Sequence, residues 1–346
     1  VAHDQTETHK KLSELWQRDG VPICATKGNK YAILSDIHLG DGGRADDACH
    51  NEKTILTALS HYHKHHYILI LLGDIEEFEQ FALDEIVERY HDTVYKALRA
   101  FGDERVYRVF GNHDLEWRSL PDPIRNNPAR YGSATEAIKM RDGHGSVRIL
   151  LVHGHQGDTG VERHPWRSRF VVRLYRRVEP YIKIDYHTSA TQSQIVKNYE
   201  RIMYSWASKS RVILICGHSH RAIFAAKSYG DRLRDEIAQL EAGIAVDPAN
   251  TQLVAKNKAS IEQHRHELRQ EERRKERDID PAEPRGKPLP CYFNVGCGLY
   301  TDGITVLEVA DGEVRLIKWH KDTRRHPPFD IYGKGSLNAF VKAIAG

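Results

Sequence analysis

In the stretches "SDIHLG" and "GHSH", Asp36 and His38, and again His218 and His220, stand two residues apart. Residues two apart in extended chain project to one side, so each pair can converge on a single cation. Carboxylate with imidazole suits zinc, manganese, iron or nickel better than calcium, and no cysteine is needed. Asp74 after Gly73, Asn112 after Gly111 and His153 before Gly154 bring the oxygen and nitrogen donors to seven. Seven are too many for one tetrahedral ion and suit two ions that share a bridging carboxylate.

Each donor follows a short apolar run. "YAIL" before Ser35 and "YILILL" before Gly73 read as buried strands, and Ile55, Leu59 and Tyr62 recur at helical spacing over about residues 51–63. Strand, helix, strand is the unit that makes a parallel pair. "RVYRVFGNHD", "VRILLVHGHQGD" and "RVILICGHSH" add three more strands with polar ends. Ligand sites in α/β sheets gather at the carboxyl ends of strands, so five such ends predict one shared site. "CYFNVGCGLYTDGITVLEVADGEVRLIKWH", with its "ADGE" turn, predicts antiparallel strands that close a second sheet.

The motifs "DIH", "GDIEE", "GNHD", "HGH" and "GHSH", in this order over residues 36–220, resemble the calcineurin-like metallophosphoesterases, and "YFNVG" resembles a strand that follows the last motif in many of them. The resemblance implies an α/β fold: a four-layer α/β/β/α sandwich of two mixed sheets flanked by helices, with helical insertions. It implies that Asp36, His38 and His220 bind one divalent transition metal ion, that Asn112, His153 and His218 bind a second, and that Asp74 bridges them. Manganese is the first choice, with iron, zinc or nickel as alternatives. Ions roughly 3.5–4 Å apart would hold a phosphoryl oxygen and a bridging hydroxide, the nucleophile of phosphoester or pyrophosphate hydrolysis. His113 matches the family's general acid, which gives a proton to the departing alkoxide.

Two positions depart from the family pattern. Glu77 stands where the family has the Asp that partners the acid histidine, so the expected pairing with His113 must be made by a side chain one methylene longer. Phe78 stands where phosphoprotein phosphatases carry an Arg that holds phosphate, which argues against a close relative of those enzymes. His155 has the spacing of a ligand to His153, but its place is better read as support for a ligand or contact with phosphate. Asp41, Asp46 and Asp47 read as ordinary loop acids.

The expected core domain spans 28–320 and carries two insertions, with a C-terminal tail over 321–346. The first insertion, 160–210, is an Arg-rich helical cap in which Arg163 and Arg167 are candidate substrate contacts. Its basic face, with Phe170, Val171, Leu174 and Tyr175 as an apolar stripe, could meet a nucleotide or an anionic lipid headgroup, and so touch a membrane peripherally. The same pattern fits a helix packed by its apolar face with its arginines in water. Its placement after a His-Gly motif is similar to that in the UDP-2,3-diacylglucosamine pyrophosphatase branch, although that branch has Arg where His113 stands. The second insertion, 230–285, reads as a charged helical hairpin from the spacing of Leu233, Ile237, Leu240 and Ile244, bent near Pro248.

The 346 residues hold 51 Lys and Arg against 48 Asp and Glu, so overall charge does not select a nucleic-acid or membrane partner. A nuclease would need a longer basic track, and a non-catalytic binding scaffold would be expected to lack ligands or the acid histidine. The expected substrate is a phosphorylated small molecule, a nucleotide or a lipid-linked phosphate. Five cysteines without a CxxC pair favour a reducing compartment, and no apolar run suggests a signal peptide or a membrane span, so the expected location is the cytoplasm. The dense run "HYHKHH" at residues 61–66 is not part of the expected site. It precedes the strand whose far end carries Asp74, which puts roughly 20 Å between them.

Overall fold

The computed structural model describes residues 4–18, 21–24, 28–118, 134–141, 146–157, 190–246, 251–275, 288–322 and 325–346. Its strands are β1 (Val21–Cys24), β2 (Lys30–Leu34), β3 (Ile68–Leu72), β4 (Val106–Val109), β5 (Ala137–Arg141), β6 (Val147–Val152), β7 (Ile213–Cys216), β8 (Ala222–Phe224), β9 (Lys227–Ser228), β10 (Tyr292–Val295), β11 (Gly303–Ala310), β12 (Glu313–His320) and β13 (Phe329–Ser336). Its helices are α1 (Gln5–Gln17), α2 (Glu52–Lys64), α3 (Leu83–Tyr90), α4 (Lys96–Arg99), α5 (Ala190–Ser210), α6 (Tyr229–Val246), α7 (Thr251–Lys275) and α8 (Leu337–Ala345).

Two mixed sheets face one another. One has the order β13-β12-β11-β2-β3-β4, and the other β1-β5-β6-β7-β10-β8-β9. Alternation along the central strands explains the layering, because successive side chains leave a strand on opposite faces. In β2 and β3, Tyr31, Ile33, Ile70 and Leu72 join the core shared with β6, β7 and β10. Ala32, Leu34, Leu69 and Leu71 instead pack on Ile55, Ala58, Leu59 and Tyr62 of α2 and Ile86 and Tyr90 of α3. Both faces are covered, which is why these strands read as unbroken apolar runs. On the second sheet, α1 contributes Leu12 and Leu15, and α5 contributes Tyr199, Met203 and Trp206. The result is the expected sandwich of two mixed sheets between helices.

Three sequence expectations change. The C-terminal strands β11 and β12 pair antiparallel across the "ADGE" turn as expected, but β10 pairs with β7 in parallel while β11 pairs antiparallel with β2, so the segment extends both sheets and does not close one second sheet. Residues 321–346 are not a free tail, since β13 pairs antiparallel with β12 and α8 buries Leu337 and Ile344. This edge strand carries Gly333 and Gly335 and has no fully buried face, which is why its pattern was weak. At the other end, β1, which precedes the expected boundary at 28, pairs in parallel with β5.

The insertions divide differently from their expected limits. The helix α5, placed by sequence in the 160–210 cap, buries Tyr199, Ile202, Met203, Trp206 and Ala207, so it belongs to the core. Residues 158–189, including Arg163 and Arg167, lie outside the described residues. The 230–285 hairpin is represented by α6 and α7, joined by an Arg265–Glu241 ion pair of 2.8 Å, with Leu233 and Ile261 buried. Its bend near Pro248 also lies outside the described residues.

Candidate metal centre

The parallel strands β2, β3 and β4 of one sheet, and β6 and β7 of the other, end on the same side of the sandwich. The loops that follow carry all seven donors. Backbone hydrogen bonds lace them together: Asp36 N donates to Gly73 O at 3.1 Å, His38 N to Asp74 O at 3.0 Å, and Gly217 N to His153 O at 2.8 Å. Asp36, His38, Asp74, His218 and His220 all have positive φ, between 52° and 66°. Non-glycine residues visit this region at a cost of order 1–3 kcal/mol and persist there only when their surroundings hold them. Five of seven donors share that strain, which turns their side chains inward from tight turns.

Among the described residues, three clusters of possible donors form, one of them His38, Glu77 and His113, and the other two are made of the expected donors. Asp36, His38 and His220 place one ligand atom each within 4.8 Å of one another, and so do Asp74, His153 and His218. His220 Nε2 is 3.1 Å from Asp36 Oδ1, and His153 Nε2 is 2.9 Å from Asp74 Oδ2. Asp36 also joins the groups, because its carboxylate accepts from His218 N at 3.1 and 3.0 Å. Asn112 lies beside Gly111, whose backbone abuts the Asp74 carboxylate.

The donor set fits divalent cations on two observations. Asn112 Oδ1 is buried without a hydrogen-bond partner among the described residues, which leaves its lone pairs open to a cation. His38 Nε2 and His220 Nε2 face each other at 3.3 Å, a contact between two ring nitrogens that calls for a proton or a cation between them. The side chain of His220 is 41 % exposed and that of His113 is 18 % exposed, whereas His153 is fully buried, so the centre opens on the His220 and His113 side.

Burial works against charge throughout the cluster, but the charges act on one another more strongly. Burial alone would raise Asp74, yet His153 and His113 hold it well below the usual carboxylate range. Asp36 is likewise lowered against its burial, by His153 and His220. His153 is raised to about 9: burial opposes its charge, and Asp74 and Asp36 overcome that. His218 goes the other way, pushed well down by burial and by His153 beside it, and so offers a neutral ring for ligation.

His113 and Glu77 meet despite the extra methylene, with His113 Nδ1 2.9 Å from Glu77 Oε1. Glu79 stands 3.8 Å from the same nitrogen. Burial disfavours the charge on His113, but Asp74 and Glu77 raise it to about 10. Phe78 is buried against Trp117 with ring centroids 5.2 Å apart, so that position offers phosphate no contact. His155 lies beside His153 at a centroid distance of 5.7 Å and joins none of the donor groups. Asp46 accepts from the amides of Gly42, Ala48 and Cys49 and from Tyr90 OH, and Asp41 accepts from Gly43 N, as loop acids do. The histidine run also stays apart: His61 packs on Trp319 and Phe329, His63 on Phe101, and His65 on His61.

Several supporting residues escaped the sequence reading. Ser35 Oγ donates to Asp36 Oδ2 at 2.5 Å, and Tyr300 OH donates to His220 O at 2.6 Å. Asn294 Nδ2 donates to Gly217 O at 2.6 Å and to Ser219 Oγ at 3.0 Å, which fixes the turn between His218 and His220. Only Asn294 left a signal, as a polar residue inside the buried run Tyr292–Val295. Gly73 is another fixed point, at φ +84°, where an added Cβ would lie 2.5 Å from His153 Nδ1 and 2.8 Å from Gly111 N. Gly73→Ala is therefore expected to lower the metal content of the purified protein, measured by elemental analysis. Gly102→Ala, at φ +74° in open space, controls for strain alone and should leave the metal in place.

A sequence profile of the family described as calcineurin-like phosphoesterase matches residues 30–222, more than half of the chain. The fold and the grouped donors define the same class, and the chain belongs to this family, whose chemistry is metal-dependent hydrolysis. No curated protein sequence matches the chain significantly. Among solved structures, a mutant of a cold-active protein tyrosine phosphatase aligns at 13 % identity over 94 % of this chain and 84 % of its own, with a TM-score of 0.37. That likeness carries no argument here. Among the described residues, no helix is long and apolar enough to cross a membrane.

Proposed function

We propose that the protein is a dinuclear metal-dependent hydrolase of phosphoester or phosphoanhydride bonds. The observation that carries this reading is the meeting of two three-residue donor groups at one end of the sandwich, with His113 at their open side. Asp36, His38 and His220 would hold one ion, Asn112, His153 and His218 would hold the other, and Asp74 would serve both. Two bound divalent ions, manganese first, supply the Lewis acidity that activates water and offsets the charge of a phosphoryl group.

The remaining work falls to the chain. Glu77 engages His113 at Nδ1, which leaves Nε2 as the nitrogen that carries a proton to the leaving oxygen. Ser35, Asn294 and Tyr300 hold the donor loops in place before substrate arrives, so little reorganisation accompanies the reaction. The substrate is a phosphorylated small molecule, a nucleotide or a lipid-linked pyrophosphate, with His155 as a support for His153, and Arg163 and Arg167 as contacts assigned from sequence alone. The protein acts in a reducing compartment, the cytoplasm, in keeping with the free thiols of Cys49, Cys216, Cys291 and Cys297.

The test is metal removal. Protein dialysed against a chelator should stop cleaving nitrophenyl phosphate, bis-nitrophenyl phosphate and a nucleoside diphosphate ester, and should recover on addition of manganese. The member of that panel cleaved fastest gives the bond type. Full activity in protein shown by elemental analysis to be free of metal would overturn the reading.

A further inference from the structure

We propose that Glu77 is a positioning residue for both halves of the site, with one carboxylate that accepts the Nδ1–H of the ligand His38 and the Nδ1–H of the acid His113. This rests on the hydrolase reading above and adds to it a physical link between metal binding and proton donation. The Glu77 carboxylate is 3.0 Å from His38 Nδ1 and 2.9 Å from His113 Nδ1, and its side chain is only 4 % exposed. The two rings meet edge to face with centroids 4.8 Å apart.

The backbone places the carboxylate between them. Glu77 N donates to Leu39 O at 3.0 Å, next to His38, and Phe78 N donates to His113 O at 3.0 Å. Residue 77 is thus laced to both loops, and its side chain fills the gap between their two rings. His38 turns Nε2 toward His220, so the nitrogen left for Glu77 is Nδ1, and a carboxylate there favours the tautomer with hydrogen on Nδ1. The same contact on His113 leaves its Nε2 to face the leaving group. An ionised carboxylate only accepts, and it has lone pairs for both donors, so one side chain can impose one tautomer on two rings. The added methylene of Glu over Asp moves the carboxylate outward from a backbone fixed on both sides, toward the space between the rings.

The experiment compares Glu77→Ala with His113→Ala in the full chain, using manganese affinity measured by competition with a fluorescent chelator. Glu77→Ala should bind about 10–100-fold more weakly, the usual effect of losing a partner that orients a ligand histidine. His113→Ala should bind as the wild type does. A second measurement needs no variant: in zinc-loaded wild-type protein, the ring nitrogens of His38 and His113 should both show hydrogen on Nδ1 by nitrogen-15 NMR. Wild-type affinity in Glu77→Ala, or hydrogen on Nε2 of His38, would overturn the inference while leaving the hydrolase intact. A wild-type protein that binds no divalent ion would instead remove the hydrolase reading, and this inference with it.

Discussion

Asp74→Asn is expected to fold, to lose tightly bound metal and to turn over at least about a thousandfold more slowly than the wild type. Asp74 is 1 % exposed; its Oδ2 meets His153, its Oδ1 accepts from the amide of His113, and its carbonyl oxygen accepts from the amide of His38 on the other side of the centre. The amide side chain keeps the shape and the oxygen that accepts from His113 N, so the buried N–H retains its partner. What disappears is one negative charge at the point where two cations would share a ligand. Metal ions contribute several kcal/mol to charge stabilisation in such reactions, and each 1.36 kcal/mol is tenfold in rate, which gives about three powers of ten. The fold should survive, because the hydrophobic layers on both faces of β3 do not depend on this carboxylate. Elemental analysis, thermal melting and initial rates, read together, separate loss of metal from loss of structure. A variant with both metals and near-wild-type turnover would show that Asp74 is not the shared ligand.

The candidate donor positions were legible because each sits at a strand end, most of them next to glycine, and because the strands are short enough to be recognised by apolar runs alone. The seven donors could be named without knowing which sheet each strand joins. Sheet assignment was not legible in the same way. β10 and β11 are separated by a short loop, yet they join different sheets, and nothing in their alternation distinguishes a parallel partner such as β7 from an antiparallel one such as β2. β13 was missed because edge strands need bury only one face, and this one includes two glycines. Tyr300 and Ser35 were hidden for another reason: they act through hydrogen bonds to backbone or to a ligand carboxylate, and such contacts leave no periodicity. Glu77 illustrates the limit most clearly. Its place in the motif suggested His113 as partner, whereas its second contact, to His38, depends on three-dimensional spacing that only the folded loops define.

His113→Ala is expected to keep the metals and to lose rate in proportion to how badly the substrate's leaving group needs a proton. His113 is not one of the seven donors, and it belongs to neither the Asp36, His38 and His220 group nor the Asp74, His153 and His218 group, so its removal leaves those donors in place. General acid catalysis is typically worth about 10²–10⁴-fold, and that factor should be lost for an alkyl phosphoester, whose alkoxide is a strong base. Nitrophenolate is a weak base and departs without a proton, so the same variant should cleave a nitrophenyl ester within about tenfold of wild type. The contrast between substrates matters more than either rate, because a distorted metal centre would slow both alike. His113→Gln provides a second check, since its amide can hydrogen-bond to Glu77 but cannot release a proton, and it should behave as alanine does. Equal losses on alkyl and nitrophenyl substrates, with metal content unchanged, would assign His113 to substrate binding and leave the leaving group to take its proton from water.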